Sequence, residues 1–116
     1  MGRAGIILSD KSKGEYRLRW TWPHPRFSDV CVLGVTKRPL SEADRPDDAD
    51  VAFVEKIEIT REQWDAAGGS WLYTQSLEAS ECFLSVWAEI DLGFTKIYTQ
   101  PFALGQLEKR SKGWIW

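Results

Sequence analysis

Apolar and polar residues alternate along several short stretches of the chain. From Glu15 to Trp22 apolar side chains occupy every second position, and residues 81–91 show the same period of two. This period places successive side chains on opposite faces of a half-buried β-strand. Turn-forming residues separate these stretches from further strand-like runs at residues 30–37, 51–59, 71–77 and 94–102. The pattern predicts an all-β fold, namely a two-sheet antiparallel β-sandwich of about seven strands.

One short helical insertion is predicted near residues 61–67. Thr60 and Gln63 have the spacing of a capping box, in which each side chain bonds the backbone N–H of the other residue. Gly68 and Gly69 follow as a helix stop. We expect Trp64 to hold this helix against the sandwich.

The alternation also divides the residues between core and surface. The inner face of strand 82–90 is small, and we expect Trp20 to pack on it. The predicted core contains Tyr16, Leu18, Trp20, Trp22, Leu84, Val86 and Ala88. The acidic stretch from Pro39 to Asp50 interrupts the strand pattern and predicts a long mobile loop.

Two segments resemble fibronectin type III domains. Residues 18–23 (Leu-Arg-Trp-Thr-Trp-Pro) are similar to the second strand of that family, and residues 77–88 resemble the corner and strand F, with Ala79 replacing the usual Pro and Cys82 the usual Tyr. Trp64 followed by Gly68-Gly69 is similar to a motif of bacterial sandwich domains. The resemblance implies a fibronectin type III-like or immunoglobulin-like sandwich of a bacterial type over residues 14–104. Residues 1–13 would then be an N-terminal arm or first strand, and residues 105–116 a tail.

Charge is distributed unevenly along the chain. Residues 1–38 carry eight Lys or Arg against three Asp or Glu, residues 39–91 three against thirteen, and residues 92–116 four against one. The formal net charge is −2, which argues against general affinity for nucleic acid. The chain lacks an apolar run long enough for a membrane span.

Two cysteines, Cys31 and Cys82, suit a reducing compartment, and we expect a cytoplasmic location with both thiols reduced. The resemblance implies that they lie on adjacent strands.

The motifs of common catalytic and metal sites are missing from the sequence. His24 is the only histidine, whereas triads and catalytic zinc sites need a histidine in a defined setting. The aspartates at 44, 47, 48 and 50 lack the glycine and closing glutamate of an EF-hand. We therefore expect neither enzymatic activity nor a metal or cofactor.

Seven tryptophans in 116 residues exceed what a small core needs. The alternation turns some of these rings outward, where arginines on the paired strand would reach them. The candidate binding surface comprises Trp71, Tyr73, Phe83, Trp87, Arg17 and Arg19.

The predicted function is a non-enzymatic interaction or spacer module within a larger protein or assembly, with a protein or a second copy as partner. A carbohydrate-binding module that stacks polysaccharide on aromatic rings is the alternative. A third interpretation is that arginine stems and the helix cover the rings, so that nothing binds there.

Overall fold

The computed structural model describes residues 4–10, 14–23, 28–75 and 81–107. Within these ranges the chain is all-β with one helix. In chain order the elements are β1 (Gly5–Asp10), β2 (Glu15–Arg19), β3 (Val30–Thr36), β4 (Phe53–Thr60), α1 (Arg61–Ala66), β5 (Trp71–Thr74), β6 (Cys82–Asp91), β7 (Lys96–Tyr98) and β8 (Phe102–Leu107).

The strands form two antiparallel sheets, as the alternation predicts. The first sheet has the order β1-β2-β5, and the second has the order β4-β3-β6-β7, with β8 also paired to β6. The consecutive strands β1 and β2 form a hairpin. β2 also pairs directly with β5, although β3 and β4, which belong to the other sheet, lie between them in the sequence. The fold prediction of a two-sheet antiparallel sandwich with a short helix is therefore confirmed.

The stretch predicted as one strand from Phe94 to Phe102 forms part of a turn and two strands instead. β7 pairs with β6 at residues 89–91, and β8 pairs with the same edge at residues 82–86. Between them the Thr99 hydroxyl accepts the backbone N–H of Ala88, and Pro101 has no N–H to donate. The Thr99 hydroxyl thus takes the place of a backbone carbonyl as the partner of Ala88, and Pro101 separates β7 from β8.

The helix forms where the capping box predicts it. The Thr60 hydroxyl accepts the N–H of Gln63 at 3.1 Å, and the Gln63 side chain accepts the N–H of Thr60 at 2.9 Å. The helix ends at Ala66, and the backbone turns through Gly68, whose φ of 75° favours glycine. The N–H of Arg61 donates to the Asp29 carbonyl at 2.8 Å. This bond ties the start of the helix to the segment that leads into β3.

The core lies between the sheets and contains every residue predicted for it. Trp20 is buried in the same cluster as Leu84 and Val86 of β6, as expected. Its indole stacks on Trp64, with ring centroids 4.3 Å apart and planes inclined by 28°. Trp64 therefore holds the helix against the sandwich, which confirms that expectation. The Trp22 ring lies 6.2 Å from Trp64, so three indoles form one aromatic cluster.

Candidate functional site

The predicted surface on the outer face of β6 is not open to solvent. The expectation that Trp87 is exposed is wrong, since none of its surface is accessible, and Phe83 is half-buried. The Trp87 indole N–H donates to the Asp44 carbonyl at 3.0 Å, and the Phe53 ring packs edge-on at 5.8 Å. Residues 37–52, between β3 and β4, thus form a strap across the outside of the second sheet.

Acidic residues of the strap make specific contacts. The Asp44 carboxylate accepts two hydrogen bonds from the Arg38 guanidinium, at 3.1 and 3.2 Å, and one from the Ser41 backbone N–H at 2.7 Å. The Arg38 hydrogen bond and the Ser41 N–H lower the pKa of Asp44 to about 2. The Lys56 ammonium donates to the Pro46 carbonyl at 2.9 Å. The segment predicted as a long loop is therefore anchored to the sheet at Trp87 and Lys56.

The predicted surface on the first sheet has the opposite orientation. Tyr73, expected to face outward, is buried, whereas the preceding residue Leu72 is 49% exposed. The register explains this, because Tyr73 lies opposite Tyr16 and Leu72 lies opposite Arg17. Burial, with a contribution from the Glu55 carboxylate, raises the pKa of Tyr73. The prediction that Tyr73 is a surface ring is therefore wrong.

The remaining candidates are not brought together on one face. Trp71 is half-buried opposite Leu18, so its ring packs toward the core instead of under an arginine. Arg17 is half-buried and donates to the Ser70 hydroxyl at 3.0 Å, and Arg19 is exposed. The expected stacking of Arg17 or Arg19 on Trp71 or Tyr73 does not occur. The cation–π contacts found in the described part of the chain are Lys56 on Phe53 and Arg61 on Trp22.

The two cysteines lie on adjacent strands, as the resemblance implies, but far apart along them. Cys31 of β3 is opposite Ala88 of β6, six residues from Cys82. Six residues of strand span about 20 Å, which excludes a disulfide between them. Both thiols are buried and not bridged. Burial raises the pKa of Cys31 to about 12, an effect that the nearby Trp20 indole N–H partly offsets.

An exposed apolar surface occurs where the sequence did not predict one. Residues 92–95 turn between β6 and β7, closed by the Leu92 N–H donating to the Thr95 carbonyl at 2.8 Å. Gly93 has a φ of 90°, and its N–H donates to the Asp91 carboxylate at 2.8 Å. Phe94 is 88% exposed at this turn, flanked by Leu92 and Ile97, each 47% exposed. We call Leu92, Phe94 and Ile97 the hairpin tip. The Asp91-Leu92-Gly93 sequence indicates a turn at this position. It does not indicate that Phe94 is exposed, because that depends on whether the hairpin extends beyond the rest of the sheet.

A second unpredicted feature is an apolar cleft of about 210 Å³. Its walls include the Trp20 and Trp22 rings, and Arg61 lies 5.3 Å above the Trp22 ring. The described residues that line the apolar cleft are Ala4, Trp20, Thr21, Trp22, Pro23, Val86 and Phe102. These residues come from four separate segments, so sequence alone does not reveal the cleft.

An open recess of about 300 Å³ with a mixed polar and apolar lining lies beside the strap, and its described lining residues are Val32, Pro46, Asp47, Lys56, Glu58 and Tyr98. Burial and the carboxylates around it raise the pKa of Tyr98. In the described ranges no group of histidine, cysteine or acidic side chains has an arrangement suited to a metal ion. Those ranges also hold no helix with the length and apolarity to cross a membrane.

Comparison with known proteins adds no relative, since no protein-family model, curated protein or solved structure matches this chain.

Proposed function

We propose that this domain is a non-enzymatic, fibronectin type III-like interaction module and that the hairpin tip is its point of contact. The resemblance implies that the second and fifth strands pair in one sheet and that the cysteine-bearing strands are neighbours in the other. The pairing of β2 with β5 and of β3 with β6 supports this interpretation. Because sandwiches of this kind serve many roles, the argument for function depends on the surface.

The exposure of Phe94 is the observation that carries the proposal. A phenylalanine with 88% of its surface in water leaves a large apolar area unburied. Leu92 and Ile97 extend this area along the same hairpin. Contact sites commonly consist of such an aromatic anchor surrounded by weaker contacts. The Gly93 turn and the Asp91 hydrogen bond order the backbone that carries the ring, which lowers the backbone entropy lost on binding.

The test compares Phe94→Ser with Leu72→Ser as a matched control. Both side chains are exposed, but Leu72 lies on the first sheet, away from the hairpin tip. Immobilised wild-type protein and Leu72→Ser should retain the same partner from native lysate, and Phe94→Ser should retain at least tenfold less. Equal retention by all three proteins would reject the hairpin tip as the contact point.

The carbohydrate-binding alternative predicts a different ligand for the same ring. Of the aromatics predicted for sugar stacking, Tyr73 and Trp87 are buried and Trp71 and Phe83 are half-buried, so this alternative now depends on Phe94, which the sequence did not indicate. Retention of the wild type on a polysaccharide gel, with loss in Phe94→Ser and not in Leu72→Ser, would favour that alternative over a protein partner. An absence of retention on the gel would favour the protein partner.

A further inference from the structure

We infer that the hairpin tip binds the apolar cleft of a second copy of this chain, so that copies associate head to tail. The inference rests on the proposed function and names its partner. Phe94 is the inserted side chain, and the cleft walled by Trp20, Trp22 and Phe102 receives it.

The size and chemistry of the cleft match a phenyl ring. An apolar cavity of about 150 Å³ accommodates a benzene molecule, and this cleft has about 210 Å³. Phe102 is 52% exposed, whereas Trp20 and Trp22 leave only 4% and 5% of their surface accessible, so an inserted ring would pack chiefly on Phe102, edge to face or offset. Among its described lining residues the polar groups are the Thr21 hydroxyl and the indole N–H groups of Trp20 and Trp22, and that of Trp22 already donates to the Ser28 carbonyl at 3.0 Å. The cleft therefore suits a side chain without polar atoms.

The ring that enters the cleft must come from another molecule. Val86, in the middle of β6, lines the cleft, whereas Phe94 lies beyond the end of that strand at Asp91. The five residues from Val86 to Asp91 extend about 17 Å. Phe94 is exposed in its own molecule, so its own hairpin does not fill the cleft.

Charges beside the two surfaces are opposite in sign. Arg61 lies on Trp22 at the cleft with its Nε 3.6 Å from the Asp65 carboxylate, and Arg19 is exposed directly before Trp20. At the hairpin tip Asp91 is exposed, while the Lys96 ammonium lies 3.7 Å from the Glu89 carboxylate of the same hairpin. Because Arg61 and Lys96 each lie beside a carboxylate, the charges that would attract each other and help to orient the approach are those of Arg19 near the cleft and Asp91 at the tip.

The area available predicts a weak contact. One aromatic side chain buries about 150–250 Å², and the half-exposed Leu92 and Ile97 add less than that. The sum stays below the roughly 1,200 Å² that stable complexes bury. We therefore expect association only in concentrated solution or where neighbouring domains bring copies together.

The hairpin tip and the apolar cleft are different surfaces of the described part of the chain, so the contact does not pair identical surfaces. Contacts of this type build rings or open chains instead of closing at a two-fold dimer. The apparent mass should therefore continue to rise past that of a dimer as concentration increases.

Sedimentation velocity of two complementary variants tests the inference. Phe94→Ser removes the inserted ring and keeps the cleft, whereas Ala4→Phe fills the cleft from an exposed position and keeps the ring. We expect the wild type and Leu72→Ser to associate over about a hundredfold range of concentration, and each variant alone to stay monomeric. An equal mixture of the two variants should form dimers and stop there, because only one tip and one cleft remain to meet.

Three results would overturn the inference: a monomeric wild type over the whole range, undiminished association of Ala4→Phe, or a mixture that stays monomeric. A monomeric wild type that still retains a partner through Phe94 would reject the second copy and leave the proposed function intact. Melting temperatures close to that of the wild type establish that each variant is folded. Benzyl alcohol provides an independent probe, since it should compete for the cleft, dissolve the wild-type assemblies and alter tryptophan fluorescence.

Discussion

At the scale of single residues, Gly34 determines whether the outer face of β3 can lie against Trp87. A Cβ atom at this position would stand 2.5 Å from Trp87 Cζ3 and 2.8 Å from Phe53 Cε1, which is closer than non-bonded carbon atoms approach. Both rings are held by the strap and by each other, so neither retreats at low cost. The absence of a side chain at residue 34 is therefore a packing requirement.

Gly34→Ala should lower the free energy of unfolding by about 1–3 kcal/mol, as overpacking does in other cores. The midpoint of urea unfolding measures this loss. In a Trp87→Leu background the same substitution should cost much less, because the nearest obstacle is gone. An equal cost in both backgrounds would show that Trp87 is not the obstacle.

The thiols provide a second prediction at this scale. Burial raises the pKa of Cys31 to about 12 and also raises the pKa of Cys82. Because the thiolate is the reactive form, labelling of the native protein at pH 8 should be at least a hundredfold slower than that of an exposed cysteine. The same burial reduces stability as pH rises from the usual thiol pKa toward 12, since the unfolded chain ionises first. Titration of the denatured, unreduced protein should give two thiols, and a count of zero would contradict this.

At the scale of elements, residue patterns predict well where one face is clearly apolar. β6 and the capping box of α1 form where the sequence indicates. Ten alternating residues determine which face of β6 is buried, and the paired side chains of Thr60 and Gln63 determine where the helix begins. β5 has only four residues, and both of its faces carry apolar groups, so the pattern does not fix which face is buried. The prediction that Trp87 is exposed is wrong for another reason, because alternation distinguishes the two faces of a sheet but does not indicate that a loop covers one of them.

The strap has a prediction that depends on pH. The pKa of Asp44 lies near 2 in the folded protein and near 4 in an unfolded chain. The ion pair with Arg38 therefore stabilises the fold fully above about pH 4, and this stability is lost as pH falls toward 2, because the unfolded chain then binds more protons. In Asp44→Asn the free energy of unfolding should depend less on pH in this window. Asp47→Asn, in the same strap, serves as the control, and a profile for Asp44→Asn equal to that of the wild type would contradict the assignment.

At the scale of the whole molecule, the aromatic cluster joins elements that are distant in sequence. Trp20 and Trp22 follow β2 of the first sheet. Trp64 belongs to α1, which lies between β4 and β5 in the sequence, and its ring contacts both of the other indoles. Trp20→Ala should reduce the free energy of unfolding by roughly 3–5 kcal/mol, as truncation of other buried aromatics does. Phe94→Ala, which removes an exposed ring, should leave stability within about 0.5 kcal/mol. Unfolding monitored by circular dichroism measures both, and a Trp20→Ala midpoint equal to that of the wild type would place this ring outside the core.

The strap also changes which parts of this chain can tolerate alteration during evolution or engineering. Long connections usually accept insertions and are the first sites of proteolytic nicking. Here the connection closes over Trp87, so lengthening it near Asp44 would open an interior instead of extending a surface. A fusion partner or affinity tag is better accommodated at the Gly68-Gly69 turn, where no atom of another segment lies within 4 Å of either glycine's Cβ position. In this protein, an acidic and proline-containing stretch that resembles a spacer is held to the sheet at Asp44 and Pro46, whose carbonyls accept hydrogen bonds from Trp87 and Lys56.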